Sequence, residues 1–107
     1  MKLRISEELK NRADGCAAAI YEPLSEFIRL AVRFEKIGKL SGVVHDENLT
    51  NTTREASTVI TINGLEEDPA YVRRCISRAV AFAEPRNPRP YDTQLIEGVD
   101  YLVGARA

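Results

Sequence analysis

The chain has 107 residues, of which 44% are hydrophobic and 29% charged, and this balance is typical of one globular domain or of a small domain with an appendage. The net charge of −1 excludes a strong overall positive field that would draw the chain to nucleic acid. The charge is uneven, since residues 1–40 hold eight Lys or Arg and six Asp or Glu, whereas residues 41–107 hold seven and ten. A modestly basic N-terminal part therefore precedes a mildly acidic one.

The sequence also bears on localisation. No apolar run approaches the roughly 20 residues of a membrane span. The first residues are charged and lack the apolar region of a signal peptide. Cys16 and Cys75 lie in apolar helical patterns at no paired spacing, which predicts reduced thiols in or near a core. We expect a cytoplasmic protein without membrane contacts.

The first element is a short strand. Residues 2–5 alternate polar and apolar side chains, the period of a half-buried strand. Ser6 is a suitable N-cap for the helix that follows, and the spacing of apolar residues extends that helix to about residue 20. A strand this short needs a partner strand and cover for its apolar face. We expect the strands of two copies to pair antiparallel above four helices.

A second helix follows a break at Pro23, because the residue before a proline avoids helical dihedrals. Ser25 is its predicted N-cap, and the helix is expected to extend to about Lys39. Its apolar residues recur at helical spacing and form one buried stripe. This pattern is the strongest indication of secondary structure in the chain.

The remaining chain divides into a linker and a C-terminal region. Residues 41–57 are rich in Ser, Thr, Asn and Asp and are predicted as a linker, in which His45 would be a solvated loop residue. Residues 58–62 are rich in β-branched side chains and predict a strand, which could pair with a copy of itself or with residues 99–103. Asp68 followed by Pro69 starts a third predicted helix, residues 69–84.

The C-terminal end follows a connector with three prolines, residues 84–90. The apolar spacing in residues 91–103 favours a helix, although a short strand also fits its second half. We therefore expect an α+β fold, mostly helical, with an N-terminal unit over residues 1–40, a linker over residues 41–57 and a strand-helix region over residues 58–107.

The sequence gives no support for catalysis. His45 is the only histidine and has no neighbouring cysteine or histidine with metal-ligand spacing. Glu7 and Glu8, like Glu66, Glu67 and Asp68, precede or open helices, where carboxylates complement the helix dipole. The glycines are isolated and form no phosphate-binding loop. We expect no catalytic residue, no metal and no cofactor.

The N-terminal unit does offer groups that suit DNA. A two-stranded antiparallel ribbon fits the major groove, and its outward side chains are then long donors or short polar groups. Lys2 and Arg4 are such residues, and Arg pairs bidentately with guanine. The backbone N–H groups near Ser25 and Glu26 could hold a backbone phosphate. An ordinary solvated strand face explains Lys2 and Arg4 equally well.

Residues 2–37 also resemble the ribbon-helix-helix superfamily, the Arc and methionine-repressor type of dimeric DNA-binding protein. The matching pieces are the alternating strand, the run Arg4-Ile5-Ser6-Glu7-Glu8-Leu9 into the first helix, and the run Leu24-Ser25-Glu26-Phe27-Ile28-Arg29-Leu30-Ala31 into the second. The chain departs from the family pattern between the helices, where it has Tyr21-Glu22-Pro23 in place of a turn that usually contains Gly.

The resemblance implies an intertwined homodimer that inserts its ribbon into the major groove. Lys2 and Arg4 would read bases, and Ser25 with its neighbour Glu26 would contact phosphate. The shared dimer core would consist of apolar side chains from the strand and both helices: Leu3, Ile5, Leu9, Phe27, Ile28, Ala31 and Phe34. Proteins of this superfamily often carry an added segment that forms tetramers, senses a ligand or binds a protein partner, so residues 58–107 could do any of these.

The sequence therefore predicts a homodimeric, sequence-specific regulator of transcription, a repressor that binds double-stranded DNA. Tetramer formation, the operator and any protein partner of residues 58–107 are left open. The alternative is a protein-interaction or oligomerisation module, such as an antitoxin-like or mobilisation accessory protein, that does not read a DNA sequence.

Overall fold

The computed structural model describes residues 1–53 and 56–87 and confirms an α+β fold rich in helix. Within these residues a two-stranded antiparallel sheet packs with three α-helices and two short 3₁₀ turns. The elements in chain order are β1 (Lys2–Ser6), α1 (Glu7–Ala19), α2 (Leu24–Lys36), a 3₁₀ turn (Glu47–Thr50), β2 (Ser57–Thr61), α3 (Pro69–Ala83) and a second 3₁₀ turn (Glu84–Arg86).

Ser6 connects β1 to α1 and is the N-cap that the sequence predicts. Its Oγ accepts a hydrogen bond from the backbone N–H of Leu9 at 3.1 Å and donates one to the carbonyl oxygen of Leu49 at 2.9 Å. The side chain is fully buried, so both bonds are shielded from water. One hydroxyl thus starts α1 and also fixes the 3₁₀ turn at Glu47–Thr50 against it.

Both ends of α2 differ from the prediction. The N-cap is Pro23 and not Ser25, because the Pro23 carbonyl already accepts hydrogen bonds from the backbone N–H groups of Glu26 and Phe27. The helix ends at Lys36 and not at Lys39, because Gly38 adopts a φ of +80° that glycine tolerates best. The N–H groups of Gly38 and Lys39 return to carbonyls of the last turn, which is a Schellman C-cap.

The partner of β1 is β2 of the same chain. The two strands pair antiparallel with Lys2 opposite Thr61, Arg4 opposite Val59 and Ser6 opposite Ser57. The expected pairing of β1 with β1 of a second copy is therefore not needed to complete this ribbon. The pairing also joins residues that the sequence analysis assigned to separate N-terminal and C-terminal parts.

One apolar core lies beneath the ribbon. Leu3 and Ile5 of β1 are fully buried and belong to one apolar cluster that includes residues of all three helices. The fully buried core includes Leu9, Ile28, Leu40, Ile62, Val72, Ile76 and Val80. Since α3 packs against both α1 and α2, residues from the two ends of the described chain fill the same interior.

Ion pairs connect the helices at the rim of this core. Arg12 of α1 forms a two-pronged pair with Glu84, with 2.9 Å between Nε and Oε2 and 2.6 Å between Nη2 and Oε1. The hydrogen bonds with Glu84 raise the pKa of Arg12. Glu35 of α2 lies 3.3 Å from Arg78 of α3. These pairs fix the approach of α3 to its neighbours, although partly exposed pairs each add only about 0–1 kcal/mol.

Within its described part, the segment predicted as a linker packs against the core over residues 43–50. Leu49 is buried, and Asp46 caps the 3₁₀ turn by accepting from the N–H of Asn48. His45 was predicted to be solvated, and this is wrong. Its Nδ1 lies 2.9 Å from the Oγ of Ser77, a buried residue of α3. Polar loop composition did not reveal these contacts because they are made with a distant helix.

The predicted helix or strand at residues 91–103 lies outside the described residues, as do residues 88–90 of the proline-containing connector. None of the helices in residues 1–53 and 56–87 is both long and apolar enough to cross a bilayer.

Replacing Ser6 with Ala should lower the free energy of unfolding by about 1–3 kcal/mol. The change removes the helix cap and also leaves the Leu49 carbonyl without its buried donor. Urea denaturation followed by circular dichroism measures the loss. Ser41→Ala is the matched control, because Ser41 is exposed and should change stability by no more than about 0.5 kcal/mol. Equal stability of the two variants would contradict this role of Ser6.

Candidate nucleic-acid interface

The exposed face of the β1–β2 ribbon brings together the residues that the sequence indicated and others that it did not. Strand alternation turns Leu3 and Ile5 to the core and leaves Lys2 and Arg4 exposed. Their cross-strand partners, Thr61 and Val59, are exposed as well. The face therefore carries two long cationic donors from β1 beside a hydroxyl and an apolar side chain from β2.

Arg4 is the most constrained of these side chains. Its Nη1 lies 3.2 Å from the Oγ of Ser57, the diagonal neighbour on β2. Its carbonyl oxygen accepts a hydrogen bond from Nη1 of Arg73 at 3.2 Å. The side-chain bond orients the guanidinium over the ribbon. Arg has five donors, and no other described group accepts from the remaining N–H groups.

Neither Lys2 nor Arg4 forms an ion pair within the described residues. A carboxylate near the ribbon does occur at the Lys2 end, where Glu66 lies 3.9 Å from the Met1 amino group. That carboxylate is 87% exposed, so the surrounding water weakens its field at the ribbon. Among residues 1–53 and 56–87, no carboxylate thus directly neutralises the charge of Lys2 or Arg4.

The three arginines of α3 make separate contacts and do not form one basic patch. Arg73 reaches the outer edge of β1 at the Arg4 carbonyl. Arg74 lies over the ring of Tyr71, with 5.9 Å between Cζ and the ring centroid. Arg78 donates to the Leu40 carbonyl at 2.6 Å and lies beside Glu35. Of these three arginines, only Arg73 contacts the ribbon, and its side chain donates to a backbone carbonyl there.

Arg29 connects α2 to the end of the ribbon that carries Lys2. Arg29 donates through Nη2 to the carbonyl of Asn63, which follows β2, and through Nη1 to Glu26 at 2.7 Å. No side chain caps α2, and no described group accepts from the N–H of Ser25. The N–H of Glu26 is bound to the Pro23 carbonyl, so Ser25 offers the open donor of the predicted pair.

The residues assigned to a dimer core are packed within a single chain. Six of the seven, all except Phe34, are buried. Phe34 is half-buried and lines an apolar groove of about 170 Å³ between α2 and α3. The groove is lined by Ile20, Phe27, Leu30, Ala31, Phe34, Ala79, Phe82 and Ala83.

Two cations flank the aromatic rings of this groove. The Nζ of Lys39 lies 4.6 Å from the centroid of the Phe34 ring, and the Cζ of Arg86 lies 3.9 Å from that of Phe82. Such contacts contribute about 0.5–1 kcal/mol at exposed sites. The groove thus combines an apolar floor with a positively charged rim.

Sequence reasoning missed Ser57, Thr61 and Arg73 as members of the ribbon face or edge. Because side chains of a strand alternate between its two faces, the sequence could have shown that Ser57, Val59 and Thr61 share a face. It could not show that the face adjoins Lys2 and Arg4, because that depends on the choice of partner strand. Nothing in the helical spacing of Arg73 distinguishes it from Arg74 or Arg78.

The described residues offer few groups for metal binding or for thiol chemistry. They contain no group of three His, Cys, Asp or Glu side chains that could hold a metal ion. Burial raises the pKa of the thiols of Cys16 and Cys75, so both are held in the protonated, unreactive form. The interior placement predicted for both cysteines is confirmed.

These thiols make a pH dependence testable. A thiol with a raised pKa in the folded chain favours folding below the unfolded pKa, and this contribution is lost as pH rises above about 8.5. We expect the free energy of unfolding of the wild type to fall more steeply between pH 8 and 10 than that of Cys16→Ala/Cys75→Ala. Urea melts across this range measure the slopes, and parallel slopes would contradict the assignment.

Comparison of the chain with protein-family models, with curated proteins and with solved structures gives no match.

Proposed function

We propose that the chain is a sequence-specific DNA-binding regulator of transcription, a repressor, that acts as a homodimer and inserts the β1–β2 ribbon into the major groove. The observation that supports this most is the exposed ribbon face, on which Lys2 and Arg4 have no carboxylate partner within the described residues. A two-stranded ribbon matches the groove, which is about 12 Å wide.

Each side chain of the face has a role in this proposal. Arg4, oriented by Ser57, pairs with the O6 and N7 acceptors of a guanine. Lys2 contacts a guanine or a phosphate, and the hydroxyl of Thr61 is a short donor and acceptor next to it. Val59 offers an apolar contact of the kind that suits a thymine methyl group.

Phosphate contacts would position the ribbon without reading sequence. The N–H of Ser25 at the start of α2 is suited to a phosphate oxygen, and α2 is tied by Arg29 to the end of the ribbon at Asn63. In this scheme Glu26 acts indirectly, since its carboxylate holds Arg29. The carboxylate itself would repel a phosphate.

The order strand-helix-helix over residues 2–36 supports a relationship with the ribbon-helix-helix superfamily. We infer a variant of that architecture in which β2 takes the place that the second copy's strand would occupy beside β1. The ribbon then belongs to one chain, and a homodimer carries two of them.

The apolar groove favours a second function, that of a protein-interaction module. Its cationic rim, Lys39 and Arg86, suits an acidic amphipathic helix of a partner protein, with the apolar face of that helix against Phe34 and Phe82. The double charge reversal Lys39→Glu/Arg86→Glu separates the two functions, because it alters the rim and leaves the ribbon unchanged. If DNA is the ligand, this variant keeps its preference for a selected duplex over a random one, while its more negative charge weakens both affinities.

Replacing Arg4 with Ala should weaken binding to a preferred duplex by about 1–3 kcal/mol, or roughly 5- to 150-fold, and relax its sequence preference. The reason is that Arg4 is exposed and its loss removes base contacts without opening the core. The preferred duplex is obtained by selection from a random pool. Fluorescence anisotropy at two salt concentrations, with a random duplex alongside, then measures the affinities.

Arg33→Ala is the matched control, since Arg33 is an exposed arginine of α2 outside the ribbon. It removes the same charge and should change the affinity less than about twofold. Equal losses in Arg4→Ala on the preferred and the random duplex would reduce Arg4 to a phosphate contact. Selection that enriches no duplex above the random pool would contradict sequence-specific binding.

A further inference from the structure

The hydrogen bonds at the ends of the ribbon show which edge of each strand is open. The Met1 amino nitrogen donates to the Ile62 carbonyl and the Ile62 N–H to the Met1 carbonyl, and at the other end the Glu7 N–H donates to the Ala56 carbonyl. In an antiparallel pair such bonded positions recur at every second residue. Odd-numbered residues of β1 and even-numbered residues of β2 therefore bond to each other.

The backbone groups of Ser57, Val59 and Thr61 consequently point away from β1, along the outer edge of β2. Apart from β1, no described element packs extensively against β2. The side chain of Val59 is 46% exposed, and Ile60 on the opposite face is only half-buried. The outer edge of β2 is thus open along its length within the described residues.

The outer edge of β1 is partly covered, in contrast. Arg73 of α3 occupies the outward carbonyl of Arg4. Ser6 is fully buried, and its side chain is bound to Leu49 in the 3₁₀ turn at Glu47–Thr50. A strand that paired with β1 on this side would have to displace both contacts, whereas a strand that paired with β2 would displace none of them.

The composition of β2 suits pairing with itself. Natural edge strands are usually protected from further pairing by Lys, Pro or a bulge, and Ser57–Thr61 has none of these. A two-fold axis at Val59 would place Ser57 opposite Thr61 and Thr58 opposite Ile60. No like charges meet in this register, and the two Val59 side chains cover each other.

We propose that two copies of the chain associate through their β2 strands, which pair antiparallel about Val59 to form a four-stranded sheet in the order β1-β2-β2-β1. The open positions of the two strands then form about six backbone hydrogen bonds. The second copy covers Val59 on one face and Ile60 on the other. This identifies an interface for the homodimer of the proposed function, but the interface does not require DNA.

The arrangement also sets the spacing of the basic residues. Strands in a sheet lie about 4.8 Å apart, so the two β1 strands would be roughly 14 Å from each other. The Lys2 and Arg4 residues of both copies would lie along the two outer strands of one exposed face.

Sedimentation velocity of the full chain without DNA tests the interface. One chain has a mass of 12.0 kDa. The wild type should sediment with twice that mass. Val59→Pro should shift the protein to the mass of one chain at the same concentration. Proline removes only an outward N–H and leaves the bonds to β1 in place, and it is tolerated at such edge positions. Val59→Thr keeps the N–H and the branched shape, so this matched control should remain dimeric.

Hydrogen exchange of the wild type keeps the test decisive if Val59→Pro fails to fold. The amides of Val59 and Thr61 should be protected at concentrations that give a dimer and should lose protection on dilution to the monomer. Protection that persists in the monomer would overturn the proposal, because another segment of the same chain would then cover the edge. A monomeric wild type would also overturn it.

A reciprocal variant identifies the competing interface. Lys2→Pro removes an outward N–H of β1. Loss of the dimer in Lys2→Pro together with its retention in Val59→Pro would place the interface on β1 and overturn the proposal. Failure of DNA selection with an intact β2-dependent dimer would contradict the proposed DNA binding and leave the interface supported.

Discussion

The pairing of β1 with β2 is the constraint on which the rest of the structure depends. It holds the two apolar side chains of β1 over the helices and so closes the core from above. It also brings α3, which follows β2, into contact with α1 and α2. Without this pairing, Leu3 and Ile5 would lose the adjacent strand that shields them, and the exposed basic face would have no second strand to define it.

Local features of the fold could be predicted from the sequence because their causes are local. The hydroxyl of Ser6 and the Asp68-Pro69 pair mark helix starts through bonds to groups three residues away. The alternation of polar and apolar residues in β1 correctly placed Leu3 in the core and Arg4 on the exposed face. The end of α2 was missed because apolar residues continue to Ile37, while Gly38 already stops the helix through its backbone conformation. Periodicity reports which face is apolar and does not report dihedral angles.

Non-local features could not be predicted in the same way. The sequence of a strand does not specify which strand it pairs with. Both β2 and a second copy of β1 could satisfy the backbone hydrogen bonds of β1. The candidate site inherits this ambiguity, since Lys2 and Arg4 were identified from alternation, whereas Ser57 and Thr61 became neighbours only through the pairing. The contact of His45 with Ser77 could not be predicted either, because the two residues lie 32 positions apart in the sequence.

The pairing has a consequence for the order in which the chain can fold during synthesis. The residues that meet in the ribbon are separated by about fifty to sixty positions, so β1 leaves the ribosome long before β2 does. At about 5–20 residues per second the delay is roughly 3 to 11 seconds. The α1–α2 pair, with its short connection, can form within that time. Leu3 and Ile5 of β1 stay exposed during this interval. We therefore expect a chaperone that binds short apolar segments to recognise the nascent chain.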